Sequence, residues 1–151
     1  MEEDFRKCKV KDSPKRLIVD ANILFSALIR DSTTRKLIIE LPTTLLAPDI
    51  IVEEIIKHKK LISIKSRLSE ENVDAMLNRI LSYIQVLDEG IYTQHLQKAY
   101  DIMKDIDAKG SPYVAVALAI KNDGIWSDDT HLEKQSIIKV WKTKDLVEKL
   151  R

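Results

Sequence analysis

The chain has 151 residues, of which 44% are apolar and 32% charged, a composition typical of one soluble globular domain rather than a disordered protein. Its 25 Lys and Arg residues nearly balance 24 Asp and Glu residues, so any polyanion site must be a local patch. The single cysteine, Cys8, excludes an internal disulfide, and no apolar run reaches the roughly 18 residues that a membrane span needs. Because the first residues also lack the apolar core of a secretory signal, we expect a cytoplasmic protein with no membrane association.

The first third of the chain predicts a tail, a strand and two helices. Residues 1–15 are polar and strongly charged and predict a flexible tail, which leaves 16–151 as the folded domain. "RLIVD" is typical of a buried parallel strand and "ANILFSALIR" of the helix after it. A second helix, "STTRKLIIEL", is expected to be capped by Ser32 or Thr33 and stopped by Pro42.

The remainder predicts further strands that alternate with helices. "TTLLAP" predicts the second strand, Pro48 opens the long helical stretch "PDIIVEEIIKHKKLISIKSRL", and Ser69 caps "SEENVDAMLNRILSYI". "QVLD" predicts a strand and "YTQHLQKAYDIMKDID" a helix, and Ser111 and Pro112 open the apolar helix "SPYVAVALAIKN". "GIWSDD", "IIKVW" and the helix "TKDLVEKL" complete the chain. This alternation predicts an α/β fold with a parallel sheet covered by helices on both faces.

Acidic residues stand near the ends of several predicted strands. They are Asp20 after the first strand, Glu53 and Glu54 after the second, Asp105 and Asp107 before the apolar helix, and Asp128 and Asp129 after the fourth. In open parallel sheets the functional site lies beyond the carboxyl ends of the strands, so these side chains are expected to converge. Taken singly, Glu53, Asp105 and Asp128 fit an ordinary role at a helix start better than a role in a functional site.

A cluster of carboxylates persists only where a cation offsets their mutual repulsion. Oxygen ligands of this kind suit Mg²⁺ or Mn²⁺, and the chemistry they predict is metal-dependent cleavage of a phosphodiester. The three histidines, His58, His95 and His131, lack metal-ligand spacing and are expected to be surface or packing residues.

Other enzyme classes lack residues that they require. The three glycines, Gly90, Gly110 and Gly124, are scattered and make neither a dinucleotide-binding turn nor a P-loop. A phosphatase of the Asp-x-Asp type would need an acid where Asn22 stands, and no nucleophile elbow surrounds a Ser or Cys. A phospho-acceptor domain built on Asp20 is a weaker alternative because the acidic pair comes late in the chain.

Four segments in order resemble the PIN-domain family of metal-dependent ribonucleases, which includes toxins of toxin–antitoxin pairs. "LIVDANILFSAL" is similar to the family's Asp-x-Asn motif, and "PDIIVEEI" to the segment with its second acid. "SPYVAVALAI" is similar to the core helix, and "IWSDDTHL" to the closing Thr/Ser-x-Asp motif. The resemblance spans nearly all of 16–150 and implies a three-layer α/β/α sandwich around about five parallel strands.

The resemblance also implies roles for individual residues. Asp20, Glu54 and Asp129 would be the catalytic acids that hold Mg²⁺ or Mn²⁺ for endonucleolytic cleavage of RNA, leaving a 5′-phosphate and a 3′-hydroxyl. The supporting residues would be Asn22, Ser127 and Asp128. Asn22 and Ser127 would hold the acids by hydrogen bonds. Asp128 is adjacent to Asp129, so either of the two can be aligned with the last acid of the family motif.

The chain departs from the family pattern at the third acid. The position two residues before the proline of the core helix is Gly110, which has no side chain to bind metal. Either Asp107 serves as a substitute metal ligand, or the chain is a weakened or inactive PIN-like module that binds RNA or an antitoxin. Ala21 and His131 also replace residues usual in the family.

A basic run follows Glu54 and predicts an RNA-binding face, although a solvated helix face has the same pattern. Its cations are Lys57, Lys59, Lys60, Lys65 and Arg67. The resemblance implies RNA as substrate, an antitoxin protein as a possible partner, and a homodimer formed through the amphipathic region 50–84.

Overall fold

The computed structural model describes residues 13–29 and 32–149, and in them five strands form one parallel sheet. The strands are β1 (Arg16–Val19), β2 (Thr44–Pro48), β3 (Ile84–Leu87), β4 (Ile125–Trp126) and β5 (Val140–Trp141). Their order across the sheet is β3-β2-β1-β4-β5, with all neighbours parallel. The chain therefore adds β2 and β3 on one side of β1 and then β4 and β5 on the other, so β1 lies in the middle of the sheet.

Helices occupy most of the connections between strands. They are α1 (Ala21–Ile29), α2 (Ser32–Glu40), α3 (Ile50–Lys57), α4 (Lys59–Ser66), α5 (Glu70–Leu81), α6 (Glu89–Tyr92), α7 (Leu96–Met103), α8 (Ser111–Ala119) and α9 (Thr143–Lys149). Short 3₁₀ helices cover Thr93–His95, Ala108–Gly110 and Leu132–Lys134. Within the described residues, none of these helices combines the length and the apolar content that crossing a bilayer would take.

The helices form two groups, the outer layers of the sandwich. Helix α8 lies across β1, β2 and β4, and α6 and α7 pack against it. Helix α1 packs against α2, α3, α4 and α5, and α9 contacts α2. The predicted α/β/α architecture with a parallel sheet is confirmed.

The central strands are apolar because both faces of the sheet are covered. Leu17, Ile18 and Val19 of β1 are fully buried. Helix α8 is apolar around most of its circumference since it lies between the sheet and another helix layer, and Tyr113 and Val116 are both buried there.

The long helix predicted from Pro48 is wrong in two respects. Pro48 ends β2, and the helix starts only at Ile50. His58 then divides the stretch into α3 and α4, because its backbone leaves the helical region at φ −106° and ψ 14°. The His58 amide donates to the Ile55 carbonyl instead of continuing the regular helical pattern.

Three other local predictions have different outcomes. Ser69 is confirmed as the cap of α5, since its side chain accepts a hydrogen bond from the Asn72 amide at 3.1 Å. Ser111 is wrong as a cap: it is the first residue of α8, and Gly110 precedes it without a side-chain cap. The helix predicted over 92–107 is interrupted by the 3₁₀ turn between α6 and α7.

Two predictions concern the borders of the described chain. Ser32 or Thr33 was predicted as the cap of α2. Residues 30 and 31 and the Ser32 side chain lie outside the described residues, so this cap stays a prediction. Residues 1–12 of the predicted tail also lie outside them. From Ser13 onward the chain packs against the domain: Ser13 is buried, and Thr43 Oγ1 donates a hydrogen bond to the Pro14 carbonyl at 2.7 Å.

Candidate metal centre

A cleft of about 180 Å³ opens beyond the carboxyl ends of β1 and β4. These strands are neighbours, with Val19 opposite Trp126, so the residues that follow them emerge side by side. We call this cleft the acid cleft because four carboxylates line it: Asp20, Glu54, Asp107 and Asp129. Such a position is the expected one for a functional site in a parallel sheet.

Asp20 follows β1 and is the most buried of these acids, with 9% of its surface exposed. Its amide donates to the Trp126 carbonyl at 3.1 Å, which fixes the residue against β4. Its carboxylate accepts hydrogen bonds from the Ala21 amide at 2.8 Å and from Ser127 Oγ at 2.7 Å. Asp20 is thus held in place by backbone and side chain together.

The buried hydroxyl of Ser127 joins the strand-end residues into one network. Besides donating to Asp20, Ser127 Oγ accepts from the Asp129 amide at 3.0 Å and from Asn22 Nδ2 at 3.4 Å. The Ser127 amide donates to the Trp141 carbonyl of β5. Two strands therefore position the hydroxyl that orients Asp20.

The pKa of Asp20 is raised from 3.8 to about 6. Burial is the largest cause, since it disfavours the charged form, and the nearby charges of Asp129 and Glu54 raise the pKa further. The hydrogen bonds from Ser127 and Ala21 lower it, but only in part. A bound cation would remove this electrostatic penalty.

Glu54 enters the acid cleft from α3, whereas Glu53 is exposed and does not line it. Burial raises the pKa of Glu54, and the charges of His58, Lys109 and Lys57 oppose that rise. The hydroxyl of Tyr113 faces Glu54 closely enough to lower its pKa, yet no hydrogen bond to that hydroxyl is formed. Burial and the charges of Glu54 and Asp20 raise the pKa of Tyr113 itself.

The structure separates the adjacent acids Asp128 and Asp129. Asp129 lines the acid cleft. Asp128 does not: its carboxylate accepts from the amide of Thr143 at 2.8 Å and from its hydroxyl at 2.6 Å, at the start of α9. Asp128 therefore supports the start of α9 and, contrary to expectation, does not contact the acid cluster.

The loop side of the cleft brings Asp107 next to Asp129 and His131. One carboxylate oxygen of each acid and one ring nitrogen of His131 all lie within 4.8 Å of one another. Gly110 also lines the cleft, and a Cβ placed on it would lie 2.9 Å from Met103 Cε. Asp105, the other acid before α8, is exposed and lies outside the cleft lining.

The predicted basic run is only partly directed at the cleft. Lys57 is close enough to lower the pKa of Glu54, but Lys59 is engaged in an ion pair with Asp74 at 2.8 Å. Lys60, Lys65 and Arg67 are exposed on or after α4. Lys109, which the sequence did not single out, lines the cleft.

The residues of the acid cleft fit a hard divalent cation. All four carboxylates offer oxygen ligands, and the buried Oδ1 of Asn22 has no hydrogen-bond partner. The Tyr113 hydroxyl is also buried without a partner. Buried polar atoms are rarely left unpaired, so two of them beside four acids point to a hydrated ion in this space.

Sequence reasoning missed three residues of this site. Lys109 carried a signal, being a cation next to Asp107 and Gly110, whereas Tyr113 looked like an ordinary core residue of α8. His131 was expected to be a surface or packing residue because its spacing matched no histidine motif; its ring Nδ1 is 2.8 Å from Asp129 Oδ1. Its neighbour Asp107 is distant in sequence, so only the fold reveals the group.

Comparison with known families supports the same interpretation. No curated protein matched the chain. A family model described as the PIN domain, however, matches residues 18–151, which include every strand-end acid of the cleft. The fold, the acid cleft and this match together show that the chain belongs to the PIN-domain family.

Proposed function

We propose that this PIN domain is a Mg²⁺- or Mn²⁺-dependent endoribonuclease. PIN domains form a nuclease-type family that generally depends on divalent metal ions. The observation that carries the proposal is the convergence of Asp20, Glu54, Asp107 and Asp129 on one cleft at the carboxyl ends of the strands. The charges of Asp129 and Glu54 add to burial in raising the pKa of Asp20, so the group carries a cost in folding free energy that a bound cation would offset.

Asp20, Glu54 and Asp129 would hold the ion, with Asp107 as a further ligand. When bound, such an ion lowers the pKa of a coordinated water and offsets the negative charge of the phosphodiester. Ser127 and Asn22 keep the Asp20 carboxylate oriented toward the cleft. The products expected are a 5′-phosphate and a 3′-hydroxyl.

Two cations beside the acids suit the backbone of an RNA strand. Lys57 and Lys109 both lower the pKa of Glu54, which places their charges near the cleft. Lys60, Lys65 and Arg67 extend the positive surface away from it, whereas Lys59 contributes less because Asp74 neutralises it. RNA affinity should therefore fall steeply as salt concentration rises.

The test is cleavage of single-stranded and structured RNA in Mn²⁺, in Mg²⁺ and with EDTA. Glu54→Gln should reduce the rate by about 100-fold or more, since it removes a ligand charge. Glu53→Gln is the matched control, because its side chain is exposed outside the cleft, and it should cleave at the rate of the unmodified chain. Cleavage that persists in EDTA, or equal rates for the two variants, would refute the assignment.

Gly110 favours a second candidate function, a non-catalytic module that binds RNA or an antitoxin. The glycine removes the acid usual in the family from the wall of the cleft. If the unmodified chain binds RNA without cutting it and Gly110→Asp alone restores cleavage, this second function is the correct one. Cleavage by the unmodified chain excludes it.

Exposed apolar residues support a homodimer as part of the proposal. Ile56 and Ile64 are 56% and 75% exposed on α3 and α4, and Leu61 is also exposed. Burial of these side chains against a second copy would release water from them. Sedimentation should give a dimer that Ile64→Lys dissociates.

A role as a toxin extends the proposal to an antitoxin partner. Induced expression of the chain in bacteria should then arrest growth, and Glu54→Gln should abolish the arrest while Glu53→Gln retains it. Growth that is unaffected by the expressed, folded chain would exclude this role without affecting the proposed cleavage chemistry.

A further inference from the structure

We propose that His131 is a metal ligand, which forms a mixed nitrogen–oxygen cation site with Asp107 and Asp129 at the loop side of the acid cleft. This site substitutes for the acid missing at Gly110 and shifts the preference of the cleft from Mg²⁺ toward Mn²⁺, Co²⁺ and Zn²⁺. The inference rests on the proposed metal dependence and concerns His131, a position at which this chain departs from the family pattern.

The geometry brings three ligands of two types together from two loops. One ring nitrogen of His131 and one oxygen from each of Asp107 and Asp129 lie within 4.8 Å of one another, a spacing that a single ion can bridge. Asp107 and Asp129 are half-buried and His131 is exposed, so water can complete the coordination.

Hydrogen bonds already orient the histidine for this role. Asp129 Oδ1 accepts from the His131 amide at 2.9 Å and lies 2.8 Å from the ring Nδ1. With the proton on Nε2, the Nδ1 lone pair and Asp129 Oδ1 are 2.8 Å apart, as two neighbouring ligands of one ion can be, so both can bind the same cation. Asp107 is held independently, because its Oδ1 accepts from the Lys109 amide at 3.2 Å.

A second observation also points to a ligand in this cleft. The Tyr113 side chain is 1% exposed, lines the cleft, and has no hydrogen-bond partner for its hydroxyl. A hydroxyl buried in this way is satisfied when water bound to a cation occupies the neighbouring space. The cleft that this group lines therefore offers a further polar atom to a hydrated cation.

The choice of metal follows from ligand chemistry. Mg²⁺ prefers oxygen ligands and retains its water, whereas imidazole suits Zn²⁺, Co²⁺ and other transition metals. An acid at position 110 would have supplied one more hard ligand; this chain supplies a nitrogen from position 131. Affinity should therefore increase from Mg²⁺ through Mn²⁺ and Co²⁺ to Zn²⁺, with the histidine responsible for much of the difference.

The direct test is NMR of the histidine ring nitrogens in the unmodified chain during titration with Zn²⁺. The His131 signals should shift at the lowest Zn²⁺ concentrations, ahead of those of His58 and His95, which do not belong to the group. Signals of His131 that move last, or not at all, would overturn the inference. This readout requires no cleavage, so it is independent of the proposed nuclease activity.

Calorimetry on two variants tests whether His131 determines the preference of the site among metal ions. His131→Asp should weaken Co²⁺ and Zn²⁺ binding by at least about tenfold while Mg²⁺ binding is kept or strengthened. His95→Asn is the matched control, a half-buried histidine outside the cleft, and should leave all affinities unchanged. Equal loss for Mg²⁺ and Zn²⁺ in folded His131→Asp would contradict a ligand role for the imidazole.

Discussion

The two sides of the acid cleft are built in different ways. On the strand side, Asp20 and Ser127 follow neighbouring strands, are buried, and share a hydrogen bond of 2.7 Å. On the loop side, Asp107 and His131 come from irregular segments and are at least partly exposed. Rigid strands fix the buried acid accurately, whereas the loops tolerate replacement of one ligand by another. The departures from the family pattern at ligand positions, Gly110 and His131, lie on the loop side, whereas Ala21 on the strand side still supplies a backbone amide to Asp20.

Ser127→Ala should have the largest effect on stability because it breaks the strand-side network at its centre. The variant leaves a buried Asp20 oxygen without its donor and removes the acceptor of the Asp129 amide. We expect a loss of about 3 kcal/mol in the free energy of unfolding at pH 7, measured by urea denaturation. Ser136→Ala, an exposed serine, should change it little. A loss no greater than that of the control would show that the strand side is not rigidly coupled.

Asp20→Asn should remove a pH-dependent loss of about 2 kcal/mol in the stability of the metal-free protein, because the raised pKa of Asp20, about 6, reflects the cost of burying its charge. The amide also loses one of the two oxygens that accept from Ala21 and Ser127, so the pH dependence, and not the absolute stability, isolates the charge. As pH rises from about 4 to about 6 the unfolded chain releases this proton first, so the stability of the unmodified chain falls. The variant should lack the Asp20 contribution to that decline. Urea denaturation with EDTA at pH 4, 5, 6 and 7 measures it.

If Asp20→Asn instead follows the same stability curve as the unmodified chain, the carboxylate is not buried as a charge. Glu54 provides the comparison within the cleft: burial also raises its pKa, but the charges of His58, Lys109 and Lys57 oppose the rise. Glu54→Gln should therefore reduce the decline in stability with rising pH as Asp20→Asn does, but by a smaller amount.

Gly110→Asp should strengthen Mg²⁺ binding by about tenfold, or about 1.4 kcal/mol, by adding a hard ligand to the loop side. The backbone at Gly110, with φ −76°, accepts a side chain, and the close atom, Met103 Cε, is the mobile end of its chain. Gly110→Asn adds similar volume without the charge. Calorimetry that finds equal Mg²⁺ affinities for the two variants would show that position 110 does not face the ion.

The fold was largely predictable because its signals are local. Apolar runs followed by helical periodicity identified β1, β2 and α8, and alternation of strands and helices identified the parallel sheet. The break at His58 was not predictable, since the apolar spacing continues through it and the turn depends on backbone geometry. Ser111 failed as a cap because the 3₁₀ turn ending at Gly110 leads directly into α8.

The site was predictable to the extent that strands place it. Asp20 and Asp129 were expected in one cleft because β1 and β4 end there, and both line it. Asp107 was expected beside these acids as a substitute ligand, and it also lines the cleft. The place of His131 next to Asp107 and Asp129 was not predictable, since it depends on how two loops fold back over the strand ends. Tyr113 shows the same limit: an apolar helix does not reveal which of its buried residues points a hydroxyl toward an acid.

The central claim, a divalent cation bound by the acids of the cleft, is tested most directly by crystallography with Mn²⁺. Anomalous diffraction from crystals soaked in Mn²⁺ should give a peak within coordination distance of Asp20 and Asp129, and the peak should disappear in Asp20→Asn. A peak bound elsewhere, or a cleft without manganese at saturating concentration, would contradict the account.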